Sequence, residues 1–373
     1  MRAGHAQDLH YMRLALALAA NGRGTASPNP MVGAVVVSHG RIVGKGYHLR
    51  PGLPHAEILA LKAAGPQARG GTLFVTLEPC CHLNKRTPPC VPAVIWAGVT
   101  RVVIAQRDPN PLVNGKALQA LRRAGISVTV GVGKSEAIEL NRAYNHYMRT
   151  RRPYVLLKAG MTLDGQIATA SGEAKWITSV PSRSDVHRLR SEVDAVLVGI
   201  GTVVNDDPSL TARVGPRFKK LTSEQPLRVV ADSRLRIPFK AHILKQQHVA
   251  KTLIATTRSA PAARRHALTK LGVEVVVLPS LRGRVSLPAL MRELGRRGVT
   301  SLLVEGGSEI NAAMLRAKLV HHLRLYMAPA LLGGSNAKGV IGGESPATLA
   351  ETLKLKHVRT RWLGGDIVVE GDL

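Results

Sequence analysis

The stretch TLEPCCHLNKRTPPC, residues 76–90, holds every cysteine of the 373-residue chain: Cys80, Cys81 and Cys90. Three thiols within eleven positions form no disulfide framework. They fit a thiolate site in a reducing compartment, so the cytoplasm is the expected location. Twenty-five residues before Cys80, Pro54-His55-Ala56-Glu57 opens a predicted helix running from about His55 to Ala64. His55, Cys80 and Cys90 are the soft and borderline ligands that a catalytic zinc needs when its fourth position stays open for water. Glu57 lies two positions on, roughly 200° around a helix, so it is not presented as a neighbouring ligand. A carboxylate beside the metal suits a proton shuttle instead. Cys90 follows Pro88-Pro89 and precedes a predicted helix over 91–97, whose N-terminus favours a thiolate. An HxE tripeptide alone would read as an ordinary helix start; HAE followed by two proline-preceded cysteines is far more specific.

Working outward, residues 1–148 alternate between helical and strand patterns. Arg13 followed by the apolar run Leu14 to Ala20 has a superficial likeness to a signal peptide. The interrupting Asp8, His5 and His10, with Leu9, Met12, Leu16 and Ala20 at helical spacing, favour a helix covering a core. A hairpin over 32–37 and 41–46 follows, then strands at 72–77, 99–105 and 126–130, and a closing helix over 136–148. Strands alternating with helices predict a three-layer α/β domain. The polar connector Arg149-Thr150-Arg151-Arg152-Pro153 marks the boundary, and residues 149–373 form the second domain. There strands are expected near 154–159, 194–200, 227–232, 252–257, 273–278, 301–305, 321–328 and 367–370, with helices between most of them: a second α/β domain.

The net charge is +28, from 52 Lys+Arg against 24 Asp+Glu. Such a surplus invites a nucleic-acid reading. The bases are dispersed, however, and aromatic residues make up only 3%, too few for base-stacking platforms. A generally basic solvated surface is the preferred reading, with an anionic small-molecule substrate as a second contributor; charge alone does not decide it, and no nucleic-acid partner is expected. No apolar stretch approaches the roughly 20 residues that span a bilayer, so no membrane partner is expected.

The pattern H-x-E then P-C-x-x-C is a zinc nucleobase-deaminase signature. Here nine residues separate Cys80 from Cys90, and that loop carries Lys85-Arg86-Thr87. A long basic loop ending in TPPC resembles the bifunctional deaminase/reductase family of riboflavin biosynthesis. Ser27-Pro28-Asn29-Pro30-Met31-Val32-Gly33 and Asp108-Pro109-Asn110-Pro111 extend the likeness. The resemblance implies zinc on His55, Cys80 and Cys90, with Glu57 as general acid/base. It implies substrate contacts at Asn29, His48, Asp108 and Asn110, and Arg86 near the substrate phosphate. The cysteine gap is one residue longer than the family's commonest spacing, which leaves Cys81 as an alternative ligand. Cys80 is taken because it directly follows Glu78-Pro79.

The second half has no GxGxxG after its first strand, and Gly199-Ile200-Gly201 lacks the third glycine, so a Rossmann reading is weak. Leu302-Leu303-Val304-Glu305-Gly306-Gly307-Ser308 instead runs from a strand into a helix, where backbone N–H groups can cradle phosphate. KAGMTLDG (158–165), SGE (171–173), WIT (176–178) and GTVVNDDP (201–208) resemble the reductase half of the same family. That half has a dihydrofolate-reductase-like fold, following a cytidine-deaminase-like first domain. The resemblance implies NADPH contacts at Gly160, Trp176, Thr202, Asp206, Ser233 and Gly307, Ser308, Glu309, Ile310, Asn311, Ala312 and Ala313. It implies substrate contacts at Lys158, Ala174, Arg190, Leu210, Arg213 and Glu305. Ala174 stands where a serine can occur and Gln166 where a base is common.

The expected activity is zinc-dependent deamination of a phosphorylated diaminopyrimidinone, then NADPH-dependent reduction of its ribosyl group, by a homo-oligomer. Two rivals make different predictions. A tRNA or nucleobase deaminase with a basic nucleic-acid-binding appendage would show the short PCxxC gap and lack KAGMTLDG and NDDP. A non-catalytic zinc module would need a fourth protein ligand, for which Cys81 or His82 is available.

Overall fold

The computed structural model describes residues 2–83, 87–213 and 225–373, in two compact units divided between Arg151 and Arg152. Arg86 lies outside the described residues.

The first unit is built on α1 (Arg2–Ala19), β1 (Gly33–Ser38), β2 (Arg41–Tyr47), α2 (Ala56–Ala64), β3 (Thr72–Leu77), α3 (Cys90–Trp96), β4 (Arg101–Gln106), α4 (Lys116–Arg123), β5 (Ser127–Val130), α5 (Lys134–Leu140) and α6 (Arg142–Thr150). Its sheet runs β2-β1-β3-β4-β5. The β1–β2 and β1–β3 pairs are antiparallel, whereas β3–β4 and β4–β5 are parallel. Successive side chains alternate faces. Ala34 and Val36 therefore join one core with α2, α3 and α4, while Val35 and Val37 join another with Tyr11, Met12, Ala15 and Ala137. Each fully buried Val or Leu side chain contributes about 1.5–3 kcal/mol, so both faces are held.

The opening helix forms, with Tyr11, Met12, Ala15 and Ala19 as its most buried apolar residues; Leu9, Leu16 and Ala20 are half-buried beside that stripe. Asp8 interrupts the apolar pattern because its carboxylate takes a bidentate contact from Arg101 of β4, at 2.9 and 2.6 Å. The single helix expected over 136–148 is two, α5 and α6, broken at Asn141. Both ends of the buried Asn141 amide bond Met31, accepting from its N–H and donating to its carbonyl at 2.8 Å each. A long-range contact thus competes with helical continuity there.

Two close approaches fix the helix that begins at the expected site. A Cβ at Gly44 would run into the carbonyl of Ala60, and one at Gly46 into the carbonyl of Ala56. Strand β2 therefore seats α2 backbone against backbone, which only glycine allows.

The second unit contains β6 (Tyr154–Thr162), β7 (Gln166–Ala168), α7 (Val180–Glu192), β8 (Ala195–Gly199), α8 (Ile200–Asp206), β9 (Leu227–Ala231), β10 (Thr252–Thr256), α9 (Ala262–Lys270) and β11 (Glu274–Val277). The short β12 (Ser280–Leu281) and β13 (Arg284–Val285) follow, then α10 (Leu287–Arg296), β14 (Ser301–Val304), α11 (Ser308–Arg316), β15 (His322–Ala328), β16 (Lys338–Gly339), β17 (Lys356–Leu363) and β18 (Asp366–Asp372). Its main sheet, β11-β10-β9-β8-β14-β6-β15-β18-β17, is parallel as far as β15 and antiparallel through β18 and β17. Val196 and Val198 face one core, and Ala195 and Leu197 the other. Strand β17 was not expected: seven of its eight residues are exposed, leaving no apolar alternation to read.

Arg228 of β9 is 1% exposed. It donates to the carbonyls of Ser209, Lys245 and Ala250, and burial lowers its pKa to about 10. Three carbonyls on its two terminal nitrogens explain how an arginine occupies a core strand, although the buried Nε has no partner among the described residues.

Candidate active sites

In the first unit, the carboxyl ends of parallel β3 and β4 meet the start of α2. His55 is the N-cap of α2, in extended conformation, and makes no side-chain cap. Its ring instead turns inward: Nδ1 lies 3.5 Å from Cys80 Sγ and 3.3 Å from Cys90 Sγ. A tetrahedral zinc with ordinary Zn–S and Zn–N bonds would hold such atoms about 3.6 Å apart, so the donor set fits the metal. Because His55 lies outside the helical turn, the 200° separation from Glu57 does not apply. Glu57 is 3% exposed and reaches the same cluster, hydrogen-bonding with Cys90. Burial first, then the neighbouring Cys80, push its carboxyl above the usual range, against the pull of His55. It is suited to carry a proton.

Two sets of backbone contacts shape the thiol pair. The Cys90 N–H points at both the Cys80 carbonyl and the Cys80 Sγ, at 3.0 and 3.3 Å, as α3 begins. Two residues upstream, the buried Glu78 carboxylate accepts from the N–H groups of Gly115 (2.9 Å), Ala117 (3.2 Å) and Asp108 (3.3 Å). It thereby pins the end of β3 to the start of α4. Sequence reading passed over Glu78 because its partners lie 30 and more positions away.

Thr87 was also missed. Its Oγ1 stands 3.1 Å from His55 Nε2. If Nδ1 offers its lone pair to a metal, Nε2 carries the hydrogen and donates to Thr87, which fixes the tautomer. Thr87→Val should therefore weaken zinc affinity by about 10–100-fold, measured by competition with a chromogenic chelator. Affinity unchanged within twofold would remove Thr87 from that role.

The expected substrate contacts cluster around these groups. Asn29 Nδ2 lies 3.0 Å from His48 Nε2, and His48 Nδ1 donates to the Pro54 carbonyl at 3.3 Å, so Nε2 accepts from the amide. The His48 and His55 rings meet edge-on, with centroids 5.1 Å apart. Asp108 is buried and accepts from Tyr144 Oη and the Asn110 N–H, each at 2.9 Å. Burial pushes it up to about 6, against those two hydrogen bonds. Asn110 turns its own side chain back to the Leu112 N–H. Cys81 Sγ points away, toward the Leu112 carbonyl, and among the described residues the group whose atoms lie close enough together to hold a metal is His55, Cys80 and Cys90, with neither Cys81 nor His82 in it.

In the second unit the expected residues gather at the carboxyl ends of parallel strands, where open α/β sheets bind ligands. Glu305 follows β14 and accepts both Arg190 Nε (2.6 Å) and Arg190 Nη2 (2.8 Å); Lys158 Nζ stands 4.0 Å away. Burial alone would raise Glu305, but Arg190 and Lys158 override it and hold the carboxyl below its usual range. Burial lowers the Lys158 ammonium. Leu210 is buried at a positive φ of 53°.

The dinucleotide candidates lie beside these. Gly307 donates to Thr202 Oγ1 at 3.1 Å and caps α11, whose first-turn N–H groups have no intrahelical acceptor and suit phosphate oxygens. A Cβ at Gly306 would run into Ile310, so the turn needs glycine. Asn311 is fully buried; Nδ2 donates to the Val340 carbonyl and Oδ1 has no partner among the described residues. Glu309 is instead tied to Arg284 at 3.0 Å, while Ser308, Ile310, Ala312 and Ala313 belong to the same helix. Ser233 Oγ accepts from the Val285 N–H. Trp176 is 69% exposed with Arg183 stacked over it; the nearby Asp206 carbonyl takes Lys175. Gly160 sits against Thr178, and Ala174 is half-buried.

Among the described residues, no helix is long and apolar enough to cross a membrane. Residues 5–106 match the cytidine and deoxycytidylate deaminase zinc-binding region, and residues 153–369 match the RibD C-terminal domain. The chain is 43% identical to riboflavin biosynthesis protein RibD of Actinobacillus pleuropneumoniae over 363 residues, 97% of this chain and 94% of that one. It is similar in structure to Acinetobacter baumannii RibD, at 37% identity and TM-score 0.89, covering 99% and 100% of the two chains. A Thermotoga maritima protein described as a diaminohydroxyphosphoribosylaminopyrimidine deaminase/5-amino-6-(5-phosphoribosylamino)uracil reductase gives 34% identity, TM-score 0.86 and 99% coverage of both chains. A zinc-type deaminase unit joined to a RibD reductase unit, matched over nearly its whole length, places the chain in the RibD family of riboflavin biosynthesis proteins, as a bifunctional deaminase and reductase.

Proposed function

We propose that the chain deaminates 2,5-diamino-6-(5-phosphoribosylamino)pyrimidin-4(3H)-one and then reduces the ribosyl group of the product to ribityl. The observation that carries the first step is the His55–Cys80–Cys90 triangle with buried Glu57 beside it. Zinc held there supplies Lewis-acid activation of a water molecule. Glu57 takes the proton that water gives up and delivers it to the departing amino group as the C–N bond breaks and ammonia leaves. Asn29, His48, Asp108 and Asn110 supply amide, imidazole and carboxyl groups able to read a pyrimidine edge and ribose hydroxyls, with Arg86 assigned to the phosphate.

In the second unit, NADPH supplies the hydride for ribose C1. Gly160, Trp176, Thr202, Asp206, Ser233 and the 307–313 segment would hold the dinucleotide. Lys158, Ala174, Arg190, Leu210, Arg213 and Glu305 would orient the substrate, so that C1 would take the hydride as its ring C–O bond opens and the released oxygen takes a proton from water. The boundary near 148–149 assigns one activity to each unit. A cytoplasmic homo-oligomer without nucleic-acid or membrane partners completes the reading. Thiolate ligands favour the reducing compartment; exposed β17, carrying Val358 and Trp362, is a surface a second copy could cover.

The test supplies purified protein with the diaminopyrimidinone, following ammonia release and NADPH absorbance. Ammonia should appear without NADPH, and NADPH oxidation should begin when it is added. NADPH oxidation with no deamination of the pyrimidine would overturn the order proposed.

A further inference from the structure

We propose that His187 is a further anion-binding residue of the reductase site, fixing Arg213 with one imidazole nitrogen and sharing a substrate phosphate oxygen with it through the other. This rests on the proposed role of Arg213 as a substrate contact of the reductase site, and takes the anion that its guanidinium meets to be the substrate phosphate. Helix α7 places His187 one turn before Arg190, on the same side. Arg190 is already committed: two of its nitrogens hold Glu305, and Nη1 donates to the Thr211 carbonyl at 3.2 Å. Lys158 and Arg190 thus share one carboxylate, while Arg213 lies against His187 and among the described residues has no ion-pair partner. That surplus of positive charge suits a phosphate dianion.

His187 supplies the geometry. The Arg213 N–H donates to His187 Nδ1 at 3.2 Å, so Nδ1 holds the lone pair and the neutral ring carries its hydrogen on Nε2. Arg213 Nη2 stands 3.2 Å from that same Nε2. Two donors therefore face each other, an arrangement satisfied when an anionic oxygen accepts from both. Burial, then Arg190 and Arg213, push the imidazole down to about 4, against the Thr211 carbonyl and Glu305. The neutral form is the one present at pH 7. Gln225 clamps the same segment, accepting from the Ala212 N–H and donating to its carbonyl, so Arg213 is held on a fixed stem.

The experiment measures NADPH oxidation by the full chain with the deaminated phosphoribosyl pyrimidine, its dephosphorylated nucleoside, and inorganic phosphate as inhibitor. His187→Ala should raise KM for the phosphorylated substrate about tenfold with kcat within about twofold, and weaken phosphate inhibition by a similar factor. KM for the nucleoside should not move. His187→Gln, which keeps one acceptor and one donor, should recover part of the loss. In an Arg213→Ala background the His187 substitution should add little. Equal KM effects on substrate and nucleoside, or effects that multiply with Arg213→Ala, would overturn the inference. If Arg213→Ala alone leaves KM and phosphate inhibition unchanged, the phosphate assignment fails too; if it raises KM while His187→Ala does not, only the role of His187 fails. His187→Leu preserves bulk and takes the place of the alanine variant if that does not fold.

Discussion

Glu57→Gln will abolish ammonia release, by at least ~10²–10⁴-fold, while the protein keeps its zinc and still oxidises NADPH when given the deaminated pyrimidine. Glutamine matches glutamate in volume, so the core around Ala56 and Ala60 is undisturbed. It cannot take and return a proton, and that alone is removed. Metal retention separates this from a folding defect, because His55, Cys80 and Cys90 are untouched. The reductase readout separates it from general damage, because the second unit has its own cores. Metal content by emission spectroscopy and ammonia by a coupled assay decide the matter; turnover within tenfold of the parent removes Glu57 from its role.

The second large effect is on the metal itself. Cys90→Ala will lower zinc from about one per chain to a small fraction, and deamination will fall with it. Cys90 has no exposed surface, and its sulfur sits 3.3 Å from His55 Nδ1. The melting temperature of the first unit should fall as well, since a ligand that binds only the folded state stabilises it. Cys81→Ala is the matched comparison. Its thiol faces the Leu112 carbonyl, so zinc and ammonia release should stay near parent values. Loss of zinc from Cys81→Ala with retention in Cys80→Ala would reverse the ligand register.

Much of this was legible in the chain. Apolar runs on either side of Ser38-His39-Gly40 marked the β1–β2 hairpin, another apolar run marked β3, and prolines before Cys80 and Cys90 announced thiols held at chosen places. The Cys80/Cys81 ambiguity is a matter of which way one side chain turns, and spacing does not carry that. Glu78, Thr87 and His187 escaped for a common reason: each acts through partners brought near only by folding. Asn141 broke a helix for the same cause, since both ends of its amide are engaged by Met31. Strand β17 was invisible because hydrogen bonding to β18 holds it, and burial does not. Arg228 contradicts the apolar rule for core strands, and its carbonyl partners at 209, 245 and 250 lie outside its own strand.

The absence of side chains at Gly44 and Gly46 bears on how such an enzyme could change its diet. With the catalytic helix resting on bare peptide, its pitch and depth have no adjustable shim. New substrates would have to be accommodated from the surrounding loops, at Asn29, in the 81–89 insertion or beyond Asp108, while the proton-carrying group stays where it is.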